Sequence, residues 1–145
     1  MIREAREGDL PALLALYLHL HEDRVPDIDG RAERVWQRIL REPDHHLLVA
    51  EEEGRIVSSC VCVVVPNLTR DLRPYALIEN VVTHPDWRNR GLASACLAAA
   101  RDIARENQCY KIMLLTGAKD EKTLDFYRRA GFNSSDKTAF IQWLP

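Results

Sequence analysis

Apolar and polar positions change period several times along the chain, and each change marks an element. Ile2–Ala5 reads as a short first strand, followed by Leu10, Leu13, Leu14, Tyr17 and His21 at helical spacing behind a cap at Asp9. Leu16, Leu18 and Leu20 widen that apolar face. A second helix runs from a cap at Asp29 to about Arg41, carrying Ala32, Val35, Trp36, Ile39 and Leu40, and Pro43 closes it. His46–Glu51, a turn at Gly54 and Arg55–Val65 read as a hairpin, because β-branched residues dominate and Pro66-Asn67 stops the second strand. That second strand is apolar on both faces, which predicts cover on both.

Tyr75–Thr83 reads as another strand. After the turn His84-Pro85-Asp86, a helix from about Gly91 to Asn107 carries Leu92, Cys96, Ala99 and Ile103 on a face of mostly small residues. Such a face lets the helix lie close on a sheet, and Tyr110–Thr116 returns as a strand after a few residues, which predicts a parallel crossover. A last helix, Glu121–Ala130, ends at Gly131, and Phe132–Trp143 is expected to supply one or two closing strands. The fold class expected is α/β: one domain over residues 1–145, a mixed central sheet with helices on both faces.

Composition agrees and narrows the function. The 145 residues are 46% hydrophobic and 29% charged, which excludes a disordered chain, and 20 Lys+Arg against 22 Asp+Glu leave a net charge of −2. No field of that size collects nucleic acid. The start Met1-Ile-Arg-Glu-Ala-Arg-Glu lacks the apolar run of a secretory signal, and no stretch approaches the ~20 apolar residues that cross a bilayer. A cytoplasmic protein with no membrane or nucleic-acid partner is therefore expected. Cys60, Cys62, Cys96 and Cys109 show no C-x-x-C spacing and read as reduced core cysteines.

Nucleotide-loop, serine-hydrolase and zincin motifs are absent. His45-His46 and His19-x-His21 lack a ligand framework, so no metal site is expected, and Asp27-Ile28-Asp29-Gly30 reads as helix capping rather than a calcium loop. Arg88-Asn89-Arg90-Gly91-Leu92-Ala93 stands out by position, after a strand and at the opening of a helix. Unpaired N–H groups and the positive end of the helix favour an anion there, and Gly91 with Ala93 keeps side chains out of its way. Spacing alone fits equally an ordinary glycine-bearing helix start with solvated arginines.

Arg88-x-x-Gly91-x-Ala93 resembles the coenzyme A loop of the GCN5-related N-acetyltransferase (GNAT) family. Val81-Val82-Thr83-His84-Pro85 is similar to that family's splayed strand and turn, and Phe126-Tyr127-Arg128-Arg129-Ala130-Gly131-Phe132 to its late helix and strand junction. Ile78-Glu79-Asn80-Val81-Val82 and Cys109-Tyr110-Lys111-Ile112 resemble segments of glucosamine-6-phosphate N-acetyltransferases, although Asn80 stands where that subfamily has aspartate and Thr116–Asp120 departs from it. Asp120 also replaces an asparagine often found seven residues before the helix tyrosine.

The resemblance implies a GNAT fold with a splayed strand, and transfer of an acetyl group from acetyl-CoA to a primary amine, most simply of a small molecule. Val81, Val82 and Thr83 would hold the acyl-pantetheine, and Asn89, Arg90, Gly91, Leu92, Ala93 and Ser94 the phosphates, with Arg88 adding donors. Glu79, two residues before Val81 and so expected on the same side of the strand, would be the base; a carboxylate paired to an arginine is the alternative. Tyr127 would protonate the departing thiolate; a core tyrosine is the alternative. Arg70 and Arg73 would rim the site for an anionic acceptor, or be solvated charge. A protein acceptor and a non-catalytic acetyl-CoA-binding module stay open. The leucine-rich first helix and Ala139-Phe140-Ile141-Gln142-Trp143-Leu144 suggest a homodimer, unless both are simply core.

Overall fold

A computed structural model describes all of residues 1–145. Nine elements follow one another: β1 (Ile2–Glu4), α1 (Leu10–Tyr17), α2 (Gly30–Arg41), β2 (His45–Glu52), β3 (Arg55–Val65), β4 (Tyr75–Thr83), α3 (Leu92–Glu106), β5 (Ile112–Leu114) and α4 (Glu121–Arg129). The strands form one sheet in the order β1-β2-β3-β4-β5. All neighbours are antiparallel except β4 and β5, which are parallel, as the strand, helix, strand order requires.

Both faces of the sheet are covered. On one, α1 and α2 set Leu10, Leu13 and Trp36 against Leu47, Val49 and Val61. On the other, Cys96, Leu97, Ala100 and Ala104 of α3 lie on Leu48, Ala50, Cys60, Cys62, Ala76 and Ile78. The buried face of α3 is turned about one residue from the face expected, leaving Leu92, Ala99 and Ile103 at its margin. Alanine and cysteine fit the closest approach to the sheet, and of the larger side chains only Leu97 joins them in the core. All four cysteines are free thiols, three of them buried. The hairpin turn uses Glu53 and Gly54 at φ 51° and 73°, the positive pair that matches the twist of the strands it joins.

Asp29 caps α2 by accepting the Ala32 N–H at 3.0 Å. Asp9 does not cap α1. Its carboxylate closes the preceding turn by accepting the Arg6 N–H at 2.7 Å, and takes two bonds from Arg3 at 2.7 and 3.1 Å. Nor does α1 reach His21. Its end tightens into i→i+3 bonds from Leu18, His19 and Leu20, so His21 lies beyond the helix. Its leucine surplus is largely absorbed: Leu10, Leu13 and Leu16 are buried, and Leu18 is exposed.

The expected closing strands do not form within the chain. After Phe132, whose N–H reaches Tyr127 C=O, no backbone bond ties residues 133–145 to the rest of the molecule. Strand patterning specifies a face but not a partner, and this segment has none in its own chain.

Arg3 joins β1 to the turn before α1 and, through Glu51 at 2.7 Å, to β2. Its hydrogen bonds are the main force holding the Asp9 carboxyl below the usual range. A lowered folded value means a contribution fully present above the ordinary carboxylate pKa and lost as pH falls through the folded one. Asp9→Asn is therefore expected to lose about 1.5–3 kcal/mol in urea titration at pH 7. Its stability should also fall less steeply than the parent's below about pH 4; parallel acid limbs would show that Asp9 carries no charge-linked stability.

Candidate active site

The centre of the molecule is a strand with one neighbour missing. β4 runs beside β3 from Tyr75 to Thr83, but its ladder with β5 covers only Ala76, Ile78 and Leu77 between them, paired to Ile112, Leu114 and Met113. Past Ile78 the side of β4 facing β5 has no strand partner. There the strand also carries a bulge: Ser59 faces Val82 and Val61 faces Glu79, so Asn80 and Val81 stand opposite Cys60 alone. Asn80 makes this possible by taking φ 52°, in the left-handed region asparagine tolerates.

The extra residue overturns the expectation that Glu79 and Val81 share a side. Val81 packs on the α3 side of the sheet, whereas Glu79 is paired with Val61, a core residue of the α1–α2 side. Glu79 is exposed and takes part in no ion pair, so the arginine-paired alternative is not realised. Tyr127 lies on the opposite face, packed on the α3-side core with edge-on Phe126 and Phe132 at 5.0 and 6.3 Å. Burial, with Cys60 nearby, pushes its hydroxyl above the ordinary tyrosine value, which keeps the phenol protonated through neutral pH.

The end of β4 is tied to the loop that follows. Ser58 gives its only hydroxyl proton to Val82 C=O at 3.0 Å, so Thr83 is the donor in their 2.8 Å hydroxyl pair. Thr83 C=O in turn accepts from Arg88 Nε at 3.2 Å. Arg90 folds back to donate to Asp86 C=O at 3.2 Å, its guanidinium 4.6 Å from the Trp87 ring centre. Asn89 and Gly91 both have positive φ, 60° and 76°. The first backbone bond of α3 is Ala95 N–H to Gly91 C=O at 2.9 Å, so the N–H groups of Leu92, Ala93 and Ser94 have no partner within the chain. A Cβ placed on Gly91 would meet nothing within 4 Å. Glycine is needed for its backbone angle, and open space lies in front of it.

Arg70 and Arg73 are not at this end. They precede Tyr75, roughly 13 Å of strand from Glu79. Arg73 is engaged with Gln108 and Cys109 carbonyls at 3.1 and 3.2 Å, and Arg70 sits 5.5 Å from the Tyr110 ring centre. Asp120 caps α4, accepting Thr123 N–H and Oγ1–H at 3.0 and 2.8 Å. Sequence reading missed Ser58 as the anchor of Thr83, although Ser58-Ser59 inside an apolar strand was a signal: both are fully buried. It also missed the edge-on pairing of His19 with His84 at 4.7 Å, which sets the end of α1 beside the end of β4.

The sequence pattern of the Acetyltransferase (GNAT) family matches residues 10–132. The chain belongs to that family. As a GNAT protein it is an N-acetyltransferase, and the family uses acetyl-CoA. It is 31% identical over 145 residues to a glucosamine 6-phosphate N-acetyltransferase of Trypanosoma brucei brucei, covering 94% of this chain and 90% of the relative. The structure of a protein from Agrobacterium tumefaciens str. C58 described as an acetyltransferase superposes with a TM-score of 0.91 at 40% identity, over 99% of both chains. The glucosamine-6-phosphate N-acetyltransferase of Arabidopsis thaliana, 21% identical, shares the fold with a TM-score of 0.87 over 100% of this chain and 98% of its own. No helix of this GNAT chain is long and apolar enough to cross a membrane.

Three orphan N–H groups, a helix N-terminus and two nearby arginines make a receptacle suited to a diphosphate such as that of acetyl-CoA. Gly91→Glu would place a carboxylate in the open space and strain the backbone. It is expected to weaken acetyl-CoA binding by at least about tenfold in calorimetry, with circular dichroism unchanged. Parental affinity in the folded variant would put the diphosphate elsewhere.

Proposed function

We propose that the chain transfers the acetyl group of acetyl-CoA to a primary amine of a small molecule by direct attack, with Glu79 as base and Tyr127 as acid. The observation that carries this reading is that Glu79 lies on one face of the sheet just past the end of the β4–β5 ladder, while Tyr127 packs on the other face with Cys60, the residue opposite the bulge, nearby. An extended ligand filling that gap has its donor thioester within reach of one face and its acceptor within reach of the other. Leu92, Ala93 and Ser94 N–H, with Asn89, Arg90 and Gly91 around them, hold the phosphates, and Arg88 braces the loop on Thr83. The main chain of Val81, Val82 and Thr83 holds the pantetheine arm, whose amides match the unpaired strand edge.

Acetyl-CoA supplies an acetyl group activated as a thioester. The ammonium of the acceptor must first lose a proton, and Glu79, exposed and unpaired, takes it directly or through one water. A β4 N–H polarises the carbonyl under attack. Tyr127, whose raised pKa keeps its proton available, then gives that proton to the sulfur as the C–S bond breaks, and the phenolate recovers one from the acylated nitrogen directly or through water. Acceptor class is supported by the name of the trypanosomal relative, which makes an amino sugar phosphate the first amine to assay. The acting unit is a homodimer, a reading supported by the exposed apolar closing segment.

Acid and base should fail differently. Glu79→Gln is expected to lose about 10²–10⁴-fold in turnover at low pH, where the amine is protonated, with the defect shrinking as pH approaches the amine's own pKa. Tyr127→Phe should lose turnover at every pH below about 10, with acetyl-CoA affinity kept. Thiol release measured across pH with saturating acetyl-CoA, and product mass for each amine, checks both. Full turnover in both variants at pH 7 would show that neither group carries the chemistry, whereas acetyl-CoA binding by the parent with no thiol release on any amine would leave a binding module.

A further inference from the structure

We propose that the solvent face of α2 is a docking surface for an acidic helix of another protein. Arg31, Arg34, Arg38 and Arg41 recur at intervals of 3, 4 and 3 residues, which sets them in one line along the helix, about 15 Å from first to last. All four are exposed, and no carboxylate of the chain closes an ion pair with any of them. With Glu33 as its one acidic residue, the helix of 12 residues carries a net charge of +3 in a chain whose total is −2. This arrangement works against the helix itself. Like charges three and four residues apart repel, and Arg31 stands in the first turn, where the helix end is already positive. Carboxylates brought from outside along the same line relieve both.

The neighbours of the row select the class of partner. Val35, four residues after Arg31 and three before Arg38, is 56% exposed beside the row, and an apolar side chain there contributes against a protein but nothing against phosphates. A groove of about 540 Å³ runs between Arg34, Arg38 and Arg41 on one side and Glu33 and Gln37 on the other, with Glu42 at its end. Those two glutamates repel a dense polyanion while leaving room for spaced carboxylates. Trp36, Ile39 and Leu40 turn into the core, so no apolar face is left for a lipid surface. A second helix with Asp or Glu at the same 3-4-3 spacing brings a carboxylate to each guanidinium, in the two-pronged geometry arginine favours. The platform is rigid: Asp29 caps it, and Trp36 Nε1 donates to Glu7 C=O at 2.9 Å, so docking orders little on this side. α2 rests on β2, two strands from β4, which keeps the cleft open to substrate while the partner is bound. The surface is therefore independent of the acetyl-transfer reading.

The probe is a capped, fluorescein-labelled, alanine-rich helical peptide with four glutamates at 3-4-3 spacing and a leucine beside them. Fluorescence anisotropy with the full chain is expected to give a Kd of about 10–100 μM in about 50 mM salt, weakening as salt rises. An isomer with its glutamates spread round the helix should bind at least about tenfold more weakly. The double variant Arg34→Glu, Arg38→Glu alters only exposed side chains, so it should stay folded by circular dichroism and lose at least about tenfold in affinity. A peptide whose two central glutamates are lysines should recover binding to that variant. Thiol release by the variant should equal the parent's; a fall would assign the row to the acceptor site and overturn a separate surface. No peptide binding up to about 1 mM, equal binding of the isomer, an unchanged double variant or no recovery by the lysine peptide would each overturn the docking surface. So would tighter, Arg34- and Arg38-dependent binding of poly-uridine RNA or of phosphatidylserine vesicles, which would give the row to a nucleic acid or a membrane. The binding readouts need no acetyl transfer, so they stand or fall apart from the Glu79 and Tyr127 assays.

Discussion

The ending of the β4–β5 ladder at Ile78 and Leu114 is the constraint on which the rest of the molecule depends. A strand stripped of one neighbour inside a sheet exposes N–H and C=O groups that must find partners. In the proposed reaction they pair with the pantetheine arm. The bulge at Asn80 adds the second half of the device, because one extra residue reverses which face each later side chain takes. Without it Glu79 and Val81 would crowd one side of the strand. With it the carboxylate serves one face and the apolar strand surface serves the other.

Two supports keep that opening in shape. Below β4, α3 lies close on the sheet because three of its four core residues, Cys96, Ala100 and Ala104, are small, and Cys62 Sγ comes within 3.9 Å of Ala100 C=O. The position of the helix fixes where its N-terminal donors point. Beside β4, Ser58, Thr83 and Arg88 form a chain of hydrogen bonds from the buried core to the loop before α3. Strand end and helix start are therefore tied to each other, the kind of fixed placement that positions a ligand spanning both.

The aromatic and cationic cluster at the other end of β4 has a different role. Lys111 Nζ lies 5.1 and 5.3 Å from the Tyr75 and Tyr110 ring centres, Arg70 covers Tyr110, and Arg73 holds the carbonyls before β5. Together they fasten the closed end of the β4–β5 pair. Opening is thus confined to the end where Glu79 and the bulge lie.

Element types and order were legible in the sequence because periodicity is local: β4 was bounded at Tyr75 and Thr83, the hairpin was placed, and Asp29 capped its helix. The loop at Gly91 was legible because a glycine between a strand and a helix states its backbone need within a few residues. What required neighbours was not legible. Asp9 looked like a cap until Arg3 claimed it, and Arg73 looked free until two carbonyls of another segment came within reach. The bulge was invisible because it exists only as a mismatch between two strands, and alternation along one strand cannot report it. Apolar patterning of Phe132–Trp143 specified a strand to come; only the folded chain decided that no edge of its own body receives it, because pairing is chosen by what lies adjacent in space.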